Sequence, residues 1–231
     1  MATIKFGGGI TEMRGSIAGN TFSRNKAGAY VRARTTPINP STARQSAVRA
    51  LTALISQTWF AIASAAQRAA WAVFASNMPT TNKVGDVIYI SGFNQFMKSN
   101  IAAQNAGLTA IADAPVVFTL PGEDVTFSTI VDEATQMIAT TFDDAAPWAA
   151  EDGGALIVQM GLPQNASIEF FNGPWRHAGA VPGAVIPVTS PQNIAVPFPV
   201  AEGQKIFTRA RIIRADGRLS DWFRYTSLGT A

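Results

Sequence analysis

The chain has 231 residues, of which 47 % are apolar and only 14 % charged, with a formal net charge of +3. It holds no cysteine and one histidine, His177, which excludes disulfides, thiolate catalysis, cysteine-based zinc sites and multi-histidine metal centres within one chain. No apolar run approaches the ~20 residues of a transmembrane helix, so no membrane partner is expected. The start, MATIKFGGG, lacks the apolar core of a signal peptide, and the expectation is synthesis and assembly in a cytoplasm.

Charge is unevenly placed. Residues 1–50 carry eight basic groups (Lys5, Arg14, Arg24, Lys26, Arg32, Arg34, Arg44, Arg49) against one acid, Glu12, a net of +7. The other 181 residues carry ten basic and fourteen acidic groups, a net of −4. A basic end of this kind seeks a negative partner, and the acidic body supplies one on a neighbouring copy. A sparsely charged surface suits a protein packed against others.

Residues 1–40 read as a basic, Gly/Arg-rich β-arm or hairpin. Gly7-Gly8-Gly9 interrupts any regular element; it lacks the Gly-Lys-Ser/Thr ending of a phosphate loop. Two alternating stretches, 20–24 and 30–34, flank the turn-like Asn25-Lys26-Ala27-Gly28. In a strand, Tyr30, Arg32 and Arg34 share one face, and Val31 and Ala33 the other. Two prolines force residues 35–40 into extended backbone.

Residues 41–110 read as a small helical unit. Ser41 or Thr42 caps a helix running to about residue 56, with Ala47, Val48, Leu51, Leu54 and Ile55 as its apolar stripe. Ser64 caps a second helix whose candidate buried residues are Ala65, Ala69 and Val73, with Trp71 and Phe74 as further candidates, and the alanines favour an αα-hairpin. Ser91 caps a third helix containing Phe93, Phe96, Met97 and Ile101, closed by Gly107.

Residues 115–231 carry short β runs at 116–120, 125–131, 136–142, 155–160, 167–171, 194–198, 205–214 and 218–226. Their spacing predicts an antiparallel sandwich, and Asp216-Gly217 a tight hairpin between the last two. The fold class is thus α+β.

Two resemblances extend this reading. Gly15-Ser16-Ile17-Ala18-Gly19-Asn20, Arg24-Asn25, Ala29-Tyr30-Val31-Arg32, Asn39-Pro40-Ser41-Thr42 with Gln45 and Arg49, Gln67-Arg68 with Trp71, Ser91-Gly92-Phe93, Phe96 and Asn100 form one pattern. It resembles uncharacterised proteins found among bacteriophage structural genes and their prophage relatives, over residues 7–105. That resemblance implies a location in a virion. Phe207, Ala210 and Ile212, then Gly217, Ser220, Trp222 and Thr226, are similar to the last two strands of immunoglobulin-like sandwiches of the fibronectin type III class. This implies a binding or spacer module that rarely carries catalysis.

The expectation is a non-enzymatic structural virion protein of a bacteriophage, either a capsid decoration or cement protein or a tail or head-fibre part. Its partners are copies of itself and other virion proteins, and no cofactor is implied. Arg14, Arg24, Arg32, Arg34, Arg44 and Arg49 are the candidate assembly contacts, because guanidinium forks suit carboxylates across an interface. Phosphate contacts with nucleic acid are the lesser reading, since a nucleic-acid arm carries denser charge and more lysine. The alternative is a module recognising host-surface glycan or protein, with Trp148, Trp175, Arg176 and His177 as loop contacts. Asp143, Asp144, Glu151 and Asp152 match no EF-hand spacing and read as a solvated loop. Arg209 and Arg211, facing Arg218 and Arg224, read as a charged solvent face that protects the sheet.

Overall fold

In the computed structural model, which describes residues 2–35, 39–82 and 84–231, the basic start of the chain is a four-stranded antiparallel sheet. Its strands are β1 (Ala2–Thr3), β2 (Gly15–Ile17), β3 (Asn20–Asn25) and β4 (Gly28–Ala33), in the order β1-β4-β3-β2. The expected hairpin forms because Asn25 Oδ1 accepts from the Ala27 N–H at 2.9 Å and Gly28 takes φ +116°. Register places Arg32 opposite Thr21 and Arg24 opposite Ala29. Alternation therefore sends Arg24 and Arg32 to opposite faces. Arg34 lies past the strand end. Within the expected extended segment, residues 36–38 lie outside the described residues.

Lys5 ties this sheet to the ribbon β5 (Thr80–Thr81) and β6 (Val87–Ile88), its Nζ 2.5 Å from Asp86. The Lys5 hydrogen bond, seconded by Asn82, holds the Asp86 carboxyl below its ordinary value of 3.8.

Thr42 caps α1 (Ala43–Gln57) and Ser64 caps α2 (Ala65–Asn77), each in a reciprocal capping box with Gln45 or Gln67. A five-residue π turn, Thr58–Ile62, links them. The expected αα-hairpin does not close: α1 buries only Ile55 and leaves Val48 and Leu54 in solvent. The buried face of α2 is the predicted one only in its aromatic residues. Trp71, Phe74 and Ala75 are inside, while Ala65, Ala69 and Val73 are exposed. Two aromatic rings remove more apolar area from water than a stripe of alanines.

Helix α3 (Gly92–Asn105) starts against α2, where a Cβ on Gly92 would fall 2.7 Å from the Ala72 nitrogen. Ser91 Oγ accepts from the Asn94 N–H, and Gly107 closes the helix at φ +77°. The chain divides into two compact units inside this helix, Met1–Gln95 and Phe96–Ala231.

The second unit is sheet-rich. Its strands are β7 (Ser128–Asp132), β8 (Met137–Thr141), β9 (Ala155–Gly161), β10 (Trp175–Pro182), β11 (Gln192–Ala195), β12 (Lys205–Ile213) and β13 (Phe223–Thr230). They form one sheet in the order β10-β9-β12-β13-β7-β8-β11. All neighbours are antiparallel except β13 and β7, which pair in parallel through Gly229–Val131 and Thr230–Asp132. The chain is thus a mixed helix-and-sheet fold with a large sheet-rich unit.

Several expected runs are corrected. Residues 116–120 and 167–171 form no strand; Val116 is 87 % exposed, and Phe171 is drawn over Gly161 instead. The last strand begins at Phe223, because the preceding segment folds back on β12. Strand β10, with Gly179 and a register shift between His177 and Gly179, has no apolar alternation to announce it.

The core is centred on Val131, Ile138, Leu156, Met160, Ile206 and Trp148, all 1 % exposed or less. Trp148 packs on Phe142 with ring centroids 5.2 Å apart. A Cβ on Gly154 would lie 2.6 Å from the Trp148 carbonyl oxygen. Gly154→Ala should therefore cost about 1–3 kcal/mol of stability in urea unfolding. Gly122→Ala, with nothing within 4 Å, should change it by less than about 0.5 kcal/mol.

The Lys5–Asp86 pair sets a pH dependence. A lowered folded pKa adds stability above the unfolded value of 3.8, lost as pH falls through the lower folded one. Acid unfolding of Asp86→Asn should show a shallower loss below pH 3.8 than the parent. Identical acid limbs would remove the pair from the account.

Candidate functional site

Charge separates by unit more sharply than by the first fifty residues. Residues 1–95 hold ten basic and two acidic groups, a net of +8; residues 96–231 hold eight and thirteen, a net of −5. Of the six predicted assembly arginines, Arg14 pairs with Glu12 at 2.8 Å and Arg49 donates to Asn39 Oδ1 at 2.7 Å. Among the described residues, Arg24, Arg32, Arg34 and Arg44 form no ion pair. On the same unit Val48, Leu54 and Phe60 are 52 %, 56 % and 68 % exposed.

The four predicted ligand contacts are not gathered. Trp148 is buried in the core. Trp175 and His177 lie on one face of β10, and alternation turns Arg176 to the other, where its Cζ sits 4.9 Å from the Phe198 ring. In the acidic loop Asp143, Asp144 and Asp152 are exposed, Asp143 Oδ1 accepting from the Ala145 N–H, whereas Glu151 is drawn in to pair with Arg214 and to accept from the Ala215 N–H. Among the described residues no three His, Asp or Glu side chains cluster as a metal site, and no helix is long and apolar enough to cross a membrane.

The outer face of β9, β12 and β13 carries a denser constellation. Strand β12 alternates: Ile206, Thr208, Ala210 and Ile212 point inward, and Phe207, Arg209, Arg211 and Ile213 outward. Register sets Arg209 beside Gln159 of β9 and Arg224 of β13, and Trp175 beside Gly161.

Both ends of this face are covered. Phe171 stacks on Phe207 at 5.5 Å and meets Trp175 edge-on, in space that only a glycine at 161 leaves open. At the other end Ala102 and Ala103 of α3 pack on Ile157 and Ile213.

Between these ends the cations and indoles alternate. Arg224 lies 5.6 Å and Arg209 4.7 Å from the Trp175 ring; Arg209 lies 4.2 Å and Arg211 4.5 Å from the Trp222 ring. The order is Arg224, Trp175, Arg209, Trp222, Arg211. Ser220 positions Trp222: its Oγ accepts from the Ile212 N–H at 2.8 Å, and its own N–H donates to Ile212 O at 2.9 Å. This is the physical content of the Ser-x-Trp pattern. Arg218, expected on this face, leaves it to pair with Asp216.

The stack is electrostatically unbalanced. Gln159 Oε1 accepts from Arg209 Nε at 2.9 Å and Nη2 at 2.7 Å, but no carboxylate pairs with Arg209, Arg211 or Arg224 among the described residues. Lost hydration, then repulsion from Arg224, lowers Arg209 to about 10; lost hydration, then Arg209, lowers Arg211 to about 10. Lys98 of α3, though its side chain is largely exposed, is lowered by lost hydration at its ammonium and by Arg211, with Asp221 acting in the opposite sense. A base whose folded pKa lies below its unfolded one subtracts stability at neutral pH, and the deficit fades only as pH rises through about 10. The indole faces offset that cost, each cation–π contact contributing about 0.5–2 kcal/mol.

No protein-family model and no curated protein matches this chain. A solved structure described as "a Fn3-like protein from Clostridium thermocellum" is similar over 49 % of this chain and 94 % of that one, at 14 % identity and a TM-score of 0.29.

Trp222→Leu removes the ring between two guanidiniums and should lower stability by about 1–3 kcal/mol in denaturant titrations. A loss below about 0.5 kcal/mol would show that the stack is not energetically coupled.

Proposed function

We propose that this chain is a non-enzymatic structural protein of a bacteriophage virion, which self-associates through its N-terminal unit as a decoration, cement, tail or head-fibre component. The observation that carries the reading is α1: a helix of 15 residues started by a reciprocal capping box, whose apolar side chains, Ile55 excepted, stay at least partly in water. Capping specifies where such a helix starts, but burial of an apolar face supplies most helical stability in proteins. The missing burial is assigned to a second copy. Arg24, Arg32, Arg34 and Arg44 stand on the same +8 unit without carboxylate partners among the described residues, and the −5 unit of a neighbour offers them. Head-to-tail contact between unlike surfaces builds rings or filaments, which suits a virion layer. Residues 115–231 are read as an immunoglobulin- or fibronectin type III-like sandwich, supported by inward residues of β7–β8 and β9–β12 that share one core.

Sedimentation velocity of the full chain tests this. The parent should sediment above monomer mass, and the assembly should weaken with added salt. Val48→Asp with Leu54→Asp, and separately Arg24→Glu with Arg32→Glu, should shift it to monomer with unchanged circular dichroism. Truncating residues 1–40 is a poorer test, because it removes all four strands of a folded sheet. A parent that stays monomeric at every concentration overturns the reading.

A further inference from the structure

We propose that one loop end of the sheet-rich unit receives the N-terminal sheet of a second copy, with Arg24 of that copy entering an open cavity there. The inference rests on the self-association proposed above and names the two faces that meet.

Strand direction gathers the loops. Antiparallel register sets Thr141 beside Ser128, and both Pro182 and Ile213 beside Ala155; the parallel pairing of β13 with β7 gives the two groups of strands a common direction. Loops 121–127, 142–154, 183–191 and 214–218 therefore share one end. At that end Val125, Val185 and Ile186 are 89 %, 80 % and 83 % exposed. The Ala184 N–H donates to Ala149 O, which sets the Val185–Ile186 loop against the one that carries Trp148. Large apolar side chains held out on neighbouring loops mark a contact surface.

A cavity of about 280 Å³ is set into this end, with Val125 at its wall. Pro147, Trp148 and Ile212 supply apolar wall, and Glu123, Asp124 and Asp143 supply carboxylates. Asp124 is fixed: Oδ1 accepts from the Thr126 N–H and Oδ2 from the Asp143 N–H, each at 2.9 Å. Arg214, also in the wall, is already paired with Glu151. Glu123, Asp124 and Asp143 pair with no cation among the described residues. An apolar slot with free carboxylates suits an alkyl stem that ends in a cation.

Charge selects the occupant. The four loops hold seven acids and two bases, a net of −5, and both bases, Arg214 and Arg218, are paired with acids of the same loops. The rest of the unit, 96–231, holds six of each and is neutral, so its whole negative charge stands at this end. The complementary surface is in the chain itself. No strand residue of the N-terminal sheet is buried, although a sheet needs one covered face to be stable. Opposed residues of an antiparallel pair share a face. Register thus puts Ile17, Phe22, Ala29 and Val31 on one side, with Arg24 as the only charged strand residue among them. Arg32 emerges on the other side, with Ser16, Thr21 and Ser23. An apolar face with one cation matches an apolar end with a carboxylate-lined cavity, and the contact joins unlike surfaces head to tail.

The test is sedimentation velocity of full-length variants over a concentration series at fixed salt. Glu123→Arg and, separately, Arg24→Glu should each weaken self-association at least about tenfold, as loss of a close interfacial charge pair does. Glu202→Arg, the same charge change at the opposite end of the unit, and Arg32→Glu should each weaken it less than about threefold. An equimolar mixture of the Glu123→Arg and Arg24→Glu chains should recover the parent's association, because each faces its complement in the other; that recovery also shows both variants folded. Asp143→Arg replaces Glu123→Arg if the latter loses the parent's circular dichroism. A parent that associates while Glu123→Arg and Asp143→Arg weaken it no more than Glu202→Arg overturns this interface and leaves self-association standing, as does a mixture that recovers nothing. A parent monomeric at every concentration overturns both.

Discussion

Strand β12 lies between β9 and β13, so both its edges are spent on the ladder and only its faces carry information. The period of two then leaves little choice. Once Ile206, Ala210 and Ile212 are required inside, Arg209 and Arg211 must emerge together on the far side, and register brings Arg224 to join them. The gathering of like charge is thus a consequence of core packing. Two indoles resolve it, because a flat, electron-rich ring is among the few groups that can separate guanidiniums without adding charge. Thr208, the one polar residue on the inward side of β12, has its hydroxyl satisfied there, 2.8 Å from Thr129 Oγ1.

What could be read from the residues alone follows the locality of each signal. Caps and turns are local, and Thr42, Ser64, Ser91, Gly107 and the Asn25–Gly28 turn stand where the residues place them. The long buried strands β9 and β12 were legible because their apolar runs exceed chance. Strand β10 was not, since Trp-Arg-His-Ala-Gly-Ala has no period of its own and is a strand only because β9 has a free edge. The stack was half legible. The Arg-x-Arg spacing and the Ser-x-Trp pattern are both visible, yet Trp175 enters it from a distant segment that nothing local marks as neighbouring. Trp148 was misplaced for the same reason: a tryptophan among acids and alanines looks like a loop contact until its neighbours across the sheet are known.

The helices of the first unit invert that lesson. The α1 stripe was correctly placed on the helix, but only Ile55 of it is buried, whereas α2 hides the opposite side from the one its alanines suggested. Periodicity says which residues share a face; it says nothing of whether that face is covered. In α2, Trp71 and Phe74 outweigh three small residues by area. In α1 no aromatic competes, and the stripe remains outside.

The two units therefore hold opposite imbalances. The first has apolar surface and cationic side chains in excess of what its own residues satisfy; the second buries a core, pairs Lys205, Arg214 and Arg218 with carboxylates, and separates Arg209, Arg211 and Arg224 with indole rings. Excess of the first kind is broad and distributed, which suits a large contact with another protein, where many weak complementary pairs add up. Excess of the second kind is confined to three guanidiniums spaced along one stack by two indoles. Arginine carries both, and what separates them is what the guanidinium lies against. On the first unit the guanidiniums of Arg24, Arg32, Arg34 and Arg44 reach solvent; on the second those of Arg209 and Arg211 lie against indole faces.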